Sequence, residues 1–516
     1  MGNTDPRTEK IRIERSKDPL LKDCYSWLLE DHDFCRWKDS HDAQLLWIKG
    51  DPGKGKTMIM IALVNELSER VENLQETYTL SYFFCQSTEP RLRGATSVLR
   101  GLIYMLASQQ RSLIKHIRKR YDDRGKDLFE GESAIYTLQS IFLDMLKDSN
   151  LQQAYFLVDA LDECDIQLRE LLKTIADEIP QAATRVKWIV SSRNQREIEE
   201  NLERDGVWKT ISLELNSNQV SRGVDAYINF KVDRLARSKK YKNDLKAEVM
   251  GQLRKRAEGT FLWVHLACER LENISLWETK RELERIPRGL NKFYDRMARQ
   301  IMDRDDCDRE MCKKVLRLAT VTYRPLRFQE IILFLFSPEE QACDIQELTD
   351  MVGRCGSFLT IREETIYFIH QSAKDYFASG DGRRILPLDE LEEHGKIVHR
   401  SLNTMSHLLR KDMYGLEKQG AIAKIGPNNG IYGSLVQIEY MCQYWVRHLT
   451  YYTSSGSVQG NQILLDNGEV HKFLQNHFLH WIEALALIGQ LAEGILMIRD
   501  LESKINVSIL RRNDRL

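Results

Sequence analysis

The chain has 516 residues, 42% of them hydrophobic and 29% charged, which is the make-up of a folded globular protein and excludes a disordered one. That length points to about three or four domains rather than one core. With 75 Lys and Arg against 76 Asp and Glu the formal net charge is −1, so no global field favours nucleic acid and none is expected as a partner.

The 10 cysteines are scattered without a CxxC pair, which reads as reduced thiols in the cytosol rather than a disulfide framework. The opening "MGNTDPRTEK" lacks an apolar signal core, and Pro6 stands where a myristoylation start needs Ser or Thr. No run of about eighteen apolar residues occurs. Even "FLHWIEALALIGQLAEGILMI" is interrupted by His480, Glu483, Gln490 and Glu493. A cytoplasmic protein without a membrane span is expected.

Residues 1–40 read as a polar lead-in followed by a helix, with Leu20, Leu21, Cys24, Trp27, Leu28 and Leu29 at helical spacing. From residue 44 short apolar strands alternate with helices: "LLWIKG", "YTLSYFFCQ", "AYFLVDA" and "VKWIVSSR". Such runs predict an α/β domain, a parallel sheet with helices on both faces. After residue 200 strands are expected to stop, and "VDAYINFKVDRLA", "AEVMGQLRKRAEGTFLWVHLACERL" and "LNKFYDRMARQIM" carry helical periodicity. "GSFLTIREETIYFIH" reads as a hairpin turning at Arg362, Glu363, Glu364 and Thr365, after which the chain is helical again. Loops are expected around "KIGPNNGIYGS" and "YYTSSGSVQGNQ".

Between the first strand and the helix behind it stands Gly50-Asp51-Pro52-Gly53-Lys54-Gly55-Lys56-Thr57, a complete P-loop pattern. Glycines let the backbone bend so that its N–H groups surround phosphates at the positive end of a helix. Lys56 would supply a point charge to the β- and γ-phosphates, and the Thr57 hydroxyl would complete a Mg²⁺ shell. Gly50 through Met58 are the expected contacts of ATP/ADP or GTP/GDP, with the base left open.

A P-loop needs a second acid at the tip of another strand. "AYFLVDALDECD" runs Tyr155–Val158 into Asp159, with Asp162 and Glu163 just behind. Asp159 is the expected Mg²⁺ residue, and Asp162 or Glu163 would orient the attacking water; a plain helix cap is the simpler alternative. The strand "VKWIVSSR" ends in Ser191, Ser192 and Arg193, and Arg193 is expected to sense a γ-phosphate, the alternative being a pair with a neighbouring acid.

His477, His480 and Glu483 stand at three-residue spacing, but their apolar neighbours favour a partly buried helix over a metal face. Trp263, Trp445 and Trp481 read as core. Local sequence leaves His370, in "IYFIHQSAKDYF", open between a core histidine and a ligand contact.

Taken in order, "LLWIKGDPGKGKT", "FLVDALDEC", "WIVSSR" and "FIHQSAKDYF" resemble the fungal NACHT-domain NTPases. These belong to the signal-transducing P-loop class of heterokaryon-incompatibility proteins and NOD-like receptors. The resemblance implies a lead-in over 1–40, a NACHT nucleotide-binding domain over 41–205 and a helical lid domain over 206–310. It further implies a winged-helix domain over 311–395, containing "YRPLRFQEI" and the hairpin, and a C-terminal helical domain over 396–516.

It also implies a switch. His370 matches the family's winged-helix histidine, which reaches the β-phosphate of a bound diphosphate and holds the chain closed. Ser372 and Asp375 are expected to cap the helix behind it. Exchange to the triphosphate would release that clasp and expose surfaces for homo-oligomerisation, and hydrolysis is expected to be slow. Family members usually carry an N-terminal effector segment and C-terminal repeats. Residues 1–40 and the end at "RRNDRL" show neither, which leaves three readings: a minimal switch, a chain that relies on a protein effector in trans, or a truncated product. The alternatives are a nucleotide-stabilised scaffold without significant turnover and, more remotely, a small-molecule kinase.

Overall fold

A computed structural model describes residues 5–39, 44–74, 78–124, 133–151, 153–178, 185–202, 208–336, 345–412, 433–454, 460 and 462–513. Two compact units are present, Met1–Phe293 and Tyr294–Leu516.

The first unit is built on five parallel strands: β1 (Leu45–Lys49), β2 (Tyr78–Phe84), β3 (Gln153–Asp159), β4 (Val186–Ser192) and β5 (Trp208–Ser212), in the order β2-β3-β4-β1-β5. Their apolar runs are buried because helices cover the sheet, among them Lys56–Leu74, Ala95–Gln109 and Ala134–Leu146. Phe156 stacks on Trp188 with ring centroids 4.8 Å apart, and Phe142 meets Phe156 edge-on at 5.2 Å. Register places Lys49 beside Ser192 across β1 and β4, and Val158 beside Val190 across β3 and β4. The carboxyl ends of β1, β3 and β4 therefore finish side by side, where open α/β sheets bind ligands.

Two expectations differ from the structure here. Strands do not stop at residue 200, because β5 pairs with β1 along its whole length. Its sequence, Trp-Lys-Thr-Ile-Ser, is too mixed to read as a buried strand, and an edge strand has no need of a continuous apolar run.

The lead-in is not one helix over residues 20–29. A 3₁₀ turn at Lys22–Cys24 and a short helix at Ser26–Leu29 occupy that stretch, with longer helices at Pro6–Ser16 and His32–Asp39. Caps explain the division. Asp5 accepts the Arg7 N–H at 3.0 Å with Pro6 at the first helical position, and Asp31 accepts the Asp33 N–H at 2.9 Å. The segment between is anchored by Asp18, which accepts from Tyr227 at 2.5 Å and pairs with Lys231 at 2.9 Å.

Tyr227 and Lys231 lie on the helix Ser217–Lys239, the first of the helices that follow the sheet. Asn243–Arg256, Phe261–Glu272 and Thr279–Arg285 come after it, with Trp263 fully buried on the second of these.

The second unit is mainly helical. It contains a small antiparallel sheet of β6 (Leu326–Arg327), β7 (Leu359–Arg362) and β8 (Thr365–Phe368), in the order β6-β8-β7. The β7–β8 turn is made by Glu363 and Glu364, both left-handed at φ 48° and 59°. Trp445 and Trp481 are fully buried in the helical core that follows. The expected loop over 424–434 lies outside the described residues apart from its last two positions. In the stretch 451–462 a helix runs through Ser454, and residues 455–459 and 461 are outside the described set. Among the described residues no helix is long and apolar enough to cross a membrane.

Candidate functional site

The P-loop leaves the tip of β1 at Gly50, whose N–H donates to the Ser192 carbonyl at 3.2 Å. Gly53 and Gly55 take φ of +79° and +89°, a left-handed backbone that glycine adopts without a Cβ penalty. Both are crowded as well: a Cβ on Gly53 would meet Leu262 Cβ and Thr260 Cγ2 at 2.9 Å, and one on Gly55 would meet the Phe261 ring at 3.1 Å. The helix starts at Lys56, so its unpaired N-terminal N–H groups face the loop. Lys56 Nζ donates to the carbonyls of Gly50 and, at 3.1 Å, Asp51. Burial pushes the Lys56 ammonium below the ordinary lysine range, against the opposing charges of Asp162 and Asp159.

Asp159 ends β3 and is 2% exposed. Burial pushes its carboxyl up, while hydrogen bonds from the Ser191 and Thr57 hydroxyls and the charge of Lys56 pull it down. Ser191 Oγ donates to Asp159 Oδ1 at 2.5 Å and accepts the Ala160 N–H at 3.0 Å. Ala160 itself is left-handed at φ 54°, an uncommon state for a residue with a side chain, and it starts the turn carrying Asp162 and Glu163.

Those two acids are held differently. Asp162 accepts the Arg193 N–H at 3.0 Å and pairs with Arg193 Nε at 3.0 Å. Glu163 accepts the Ser87 N–H at 3.1 Å, and burial together with the charge of Asp162 pushes its carboxyl up to about 7. A carboxyl near neutral pH suits proton transfer; one locked to a guanidinium suits positioning.

Lys56, Thr57, Asp159, Asp162, Glu163 and Arg193 are thus gathered at one end of the sheet. The oxygen donors Thr57 and Asp159, already hydrogen-bonded to each other, fit a hard divalent cation such as Mg²⁺. Arg193 makes the pair with a neighbouring acid that its sequence position had left as the alternative. His370 lies in the second unit and caps the helix Gln371–Ser379 itself, with Nδ1 accepting the Ser372 N–H at 3.1 Å. The expectation that Ser372 and Asp375 do the capping is corrected: the Ser372 side chain contacts His370 Nδ1 at 2.8 Å and Asp375 accepts from Gln371 at 3.0 Å.

Some contributors had no local signal. Glu214 accepts the Asp51 N–H at 2.7 Å, and Glu258 accepts Lys54 Nζ through its carbonyl at 2.9 Å. The run Thr260-Phe261-Leu262 packs on the P-loop glycines. Only Ser191, a serine beside the acid strand's tip, had a position that pointed to its role.

The family described as nephrocystin 3, N-terminal, matches residues 23–193, a span that begins in the lead-in and ends on Arg193. The vegetative incompatibility protein HET-E-1 of Podospora anserina is 40% identical over 526 aligned positions, covering 99% of this chain. The chain is a relative of the fungal NACHT-domain incompatibility proteins. It spans 38% of that relative's length. Among solved structures, the ADP form of the Aeropyrum pernix ORC2 protein is 11% identical with a TM-score of 0.34, covering 68% of this chain and 92% of that one. A Walker-type ATPase of Pyrococcus abyssi is 12% identical with a TM-score of 0.31, covering 73% and 96%. Scores this low carry no weight; the P-loop fold rests on the sheet order and on the loop itself.

Proposed function

We propose that this NACHT relative is a nucleotide-dependent switch that binds ATP or GTP with Mg²⁺ at the P-loop and hydrolyses it slowly. The convergence of Lys56, Thr57, Asp159 and Glu163 at the carboxyl end of one sheet carries this reading. Bound Mg²⁺ supplies counter-charge to phosphate oxygens. The N–H groups from Gly53 to Met58 cradle the phosphates, and Lys56 gives up loop carbonyls for them. Thr57 and Asp159 hold the metal site. Glu163 takes the proton of the attacking water, while Asp162 keeps Arg193 at the tip of β4, where a γ-phosphate would compete for its guanidinium.

We assign residues 206–310 to a helical lid and 311–395 to a winged helix. The three-stranded sheet β6-β8-β7 and the helices Asp306–Val321, Phe328–Leu335 and Ile345–Arg354 support the second assignment. With Nδ1 accepting a hydrogen bond, a neutral His370 carries its proton on Nε2, a donor suited to a phosphate oxygen. His370 accordingly latches the diphosphate state, and its release exposes surfaces for homo-oligomerisation and for a protein effector in trans. The name of the relative points to incompatibility signalling, and we place this chain in self/non-self recognition or regulated cell death in the cytoplasm.

Mass spectrometry of nucleotide released from the purified protein tests the reading. A nucleoside diphosphate or triphosphate near one per chain is expected, and absent from Lys56→Ala. Nucleotide-free protein that also binds none when offered it would overturn the reading.

A further inference from the structure

In the second unit the helices Asp306–Val321, Phe328–Leu335, Glu390–Leu408 and Glu469–Leu487 enclose a groove of about 990 Å³. Ligand pockets run from ~300 to ~1,000 Å³, so this one is large. Its floor is apolar. Leu318, Ile397, Leu402 and Phe473 are buried there, and Phe334 and Leu335 remain partly exposed.

The rim is basic. Lys314, Arg317, Arg400 and Lys472 line it, and none of the four has a carboxylate ion-pair partner among the described residues. Arg317 donates to the Pro387 carbonyl at 3.1 Å and Arg400 to the Leu333 carbonyl at 2.6 Å, contacts that orient a guanidinium without neutralising it. The lining carboxylates are already engaged: Glu310 with Lys313 at 2.7 Å, Glu393 with Lys396 at 2.9 Å, and Glu469 with His399 at 2.7 Å. The groove therefore presents surplus positive charge around an apolar trough.

These two properties select the occupant. A polyanion such as nucleic acid would gain from the four cations but would leave the apolar trough uncovered. A purely apolar segment would leave the cations unanswered. A helix with one apolar stripe flanked by Asp or Glu satisfies both, and helix-in-groove docking uses that pattern of anchors.

We propose that this groove docks an acidic amphipathic helix of a partner protein. Its apolar side chains sit on Phe334, Leu335 and Phe473, and its carboxylates meet Lys314, Arg317, Arg400 and Lys472. None of its lining residues belongs to the P-loop.

The test is selection of a phage-displayed library of helical peptides of about 18 residues, five turns, on the full chain, with the apolar stripe fixed and the other positions random. Enriched peptides are expected to be rich in Asp and Glu. A synthetic copy should bind about tenfold or more weakly to Lys314→Glu/Lys472→Glu, and normally to Lys314→Arg/Lys472→Arg and to Arg384→Glu, a control cation outside the groove. Added salt should weaken it further. The proposal is overturned if enriched peptides show no acidic bias, or if the charge-reversed pair binds them as well as the parent does. It is also overturned if that pair changes only single-stranded DNA binding, or only the oligomeric state seen by light scattering.

Discussion

Arg193 holds Asp162 twice: its backbone N–H donates to Oδ1 at 3.0 Å and its guanidinium Nε lies 3.0 Å from Oδ2. The tie joins the tip of β4 to the turn after β3, and it commits the Asp162 carboxylate to structure. Glu163, next in the chain, has its carboxyl pushed up to about 7 by burial and by that neighbouring charge.

The two acids should therefore separate under mutation. Glu163→Gln is expected to retain nucleotide and to lower single-turnover hydrolysis by about a hundredfold or more, the usual size of a general-base effect. Asp162→Asn should cost far less turnover while loosening the β4 tip. Equal losses, or none in either variant, would point to the scaffold without turnover or to a different base.

Gly53 combines a left-handed backbone with side chains from Thr260 and Leu262 at 2.9 Å from where a Cβ would stand. Gly53→Ala should strain the loop by about 1–3 kcal/mol and weaken nucleotide binding by about tenfold or more. Thermal shift with and without nucleotide would read both effects. An unchanged nucleotide-induced shift would mean that the loop does not need this conformation to bind.

His370 has two roles to pull apart, the helix cap and the proposed latch. Asparagine is a good N-cap but too short to reach as far as histidine. His370→Asn should keep the fold's stability near wild type and release bound diphosphate faster. His370→Ala should do that and lose about 1 kcal/mol of stability as well. If His370→Asn leaves the diphosphate off-rate unchanged, the histidine is a cap alone.

A buried histidine pair in the second unit sets a pH dependence. His448 Nε2 lies 2.7 Å from the Tyr440 hydroxyl, which accepts the Tyr323 N–H at 3.0 Å and so has its own proton to give. His448 Nδ1 then carries the proton shared with His394 Nδ1 at 2.6 Å. Burial lowers His394 to about 4, and burial with the charges of His394 and Arg447 puts His448 well below its usual value. Both are neutral when folded, whereas an unfolded histidine gains a proton near pH 6.5. Their contribution is complete above that pH and is lost as the pH falls from about 6.5 towards 4, by up to about 1.4 kcal/mol per unit per group. Unfolding followed across this range should show His448→Gln with a shallower slope than wild type and lower stability at pH 7.

The P-loop and its acids were legible because each is a contiguous run ending an apolar strand, so the motif and its context stand in the same few residues. β5 was hidden because an edge strand tolerates lysine and threonine. Thr260, Phe261 and Leu262 were hidden because their function is to crowd Gly53 and Gly55 two hundred residues away, a relation only the fold creates. The Arg193–Asp162 pair stood among the alternatives, yet residue type alone could not rank it above a phosphate contact. Histidine as the cap of Gln371–Ser379 went against the usual preference for Ser, Thr, Asp or Asn.

The most direct measurement is equilibrium binding of fluorescent ATP and GTP analogues to the full chain, with Mg²⁺ and with chelator, for wild type, Lys56→Ala and Asp159→Asn. Saturable binding of at least one nucleotide is expected, strongly weakened in Lys56→Ala, with its Mg²⁺ dependence lost in Asp159→Asn. Binding that is absent in wild type, or identical in all three proteins with and without Mg²⁺, would contradict a nucleotide-operated function for this site.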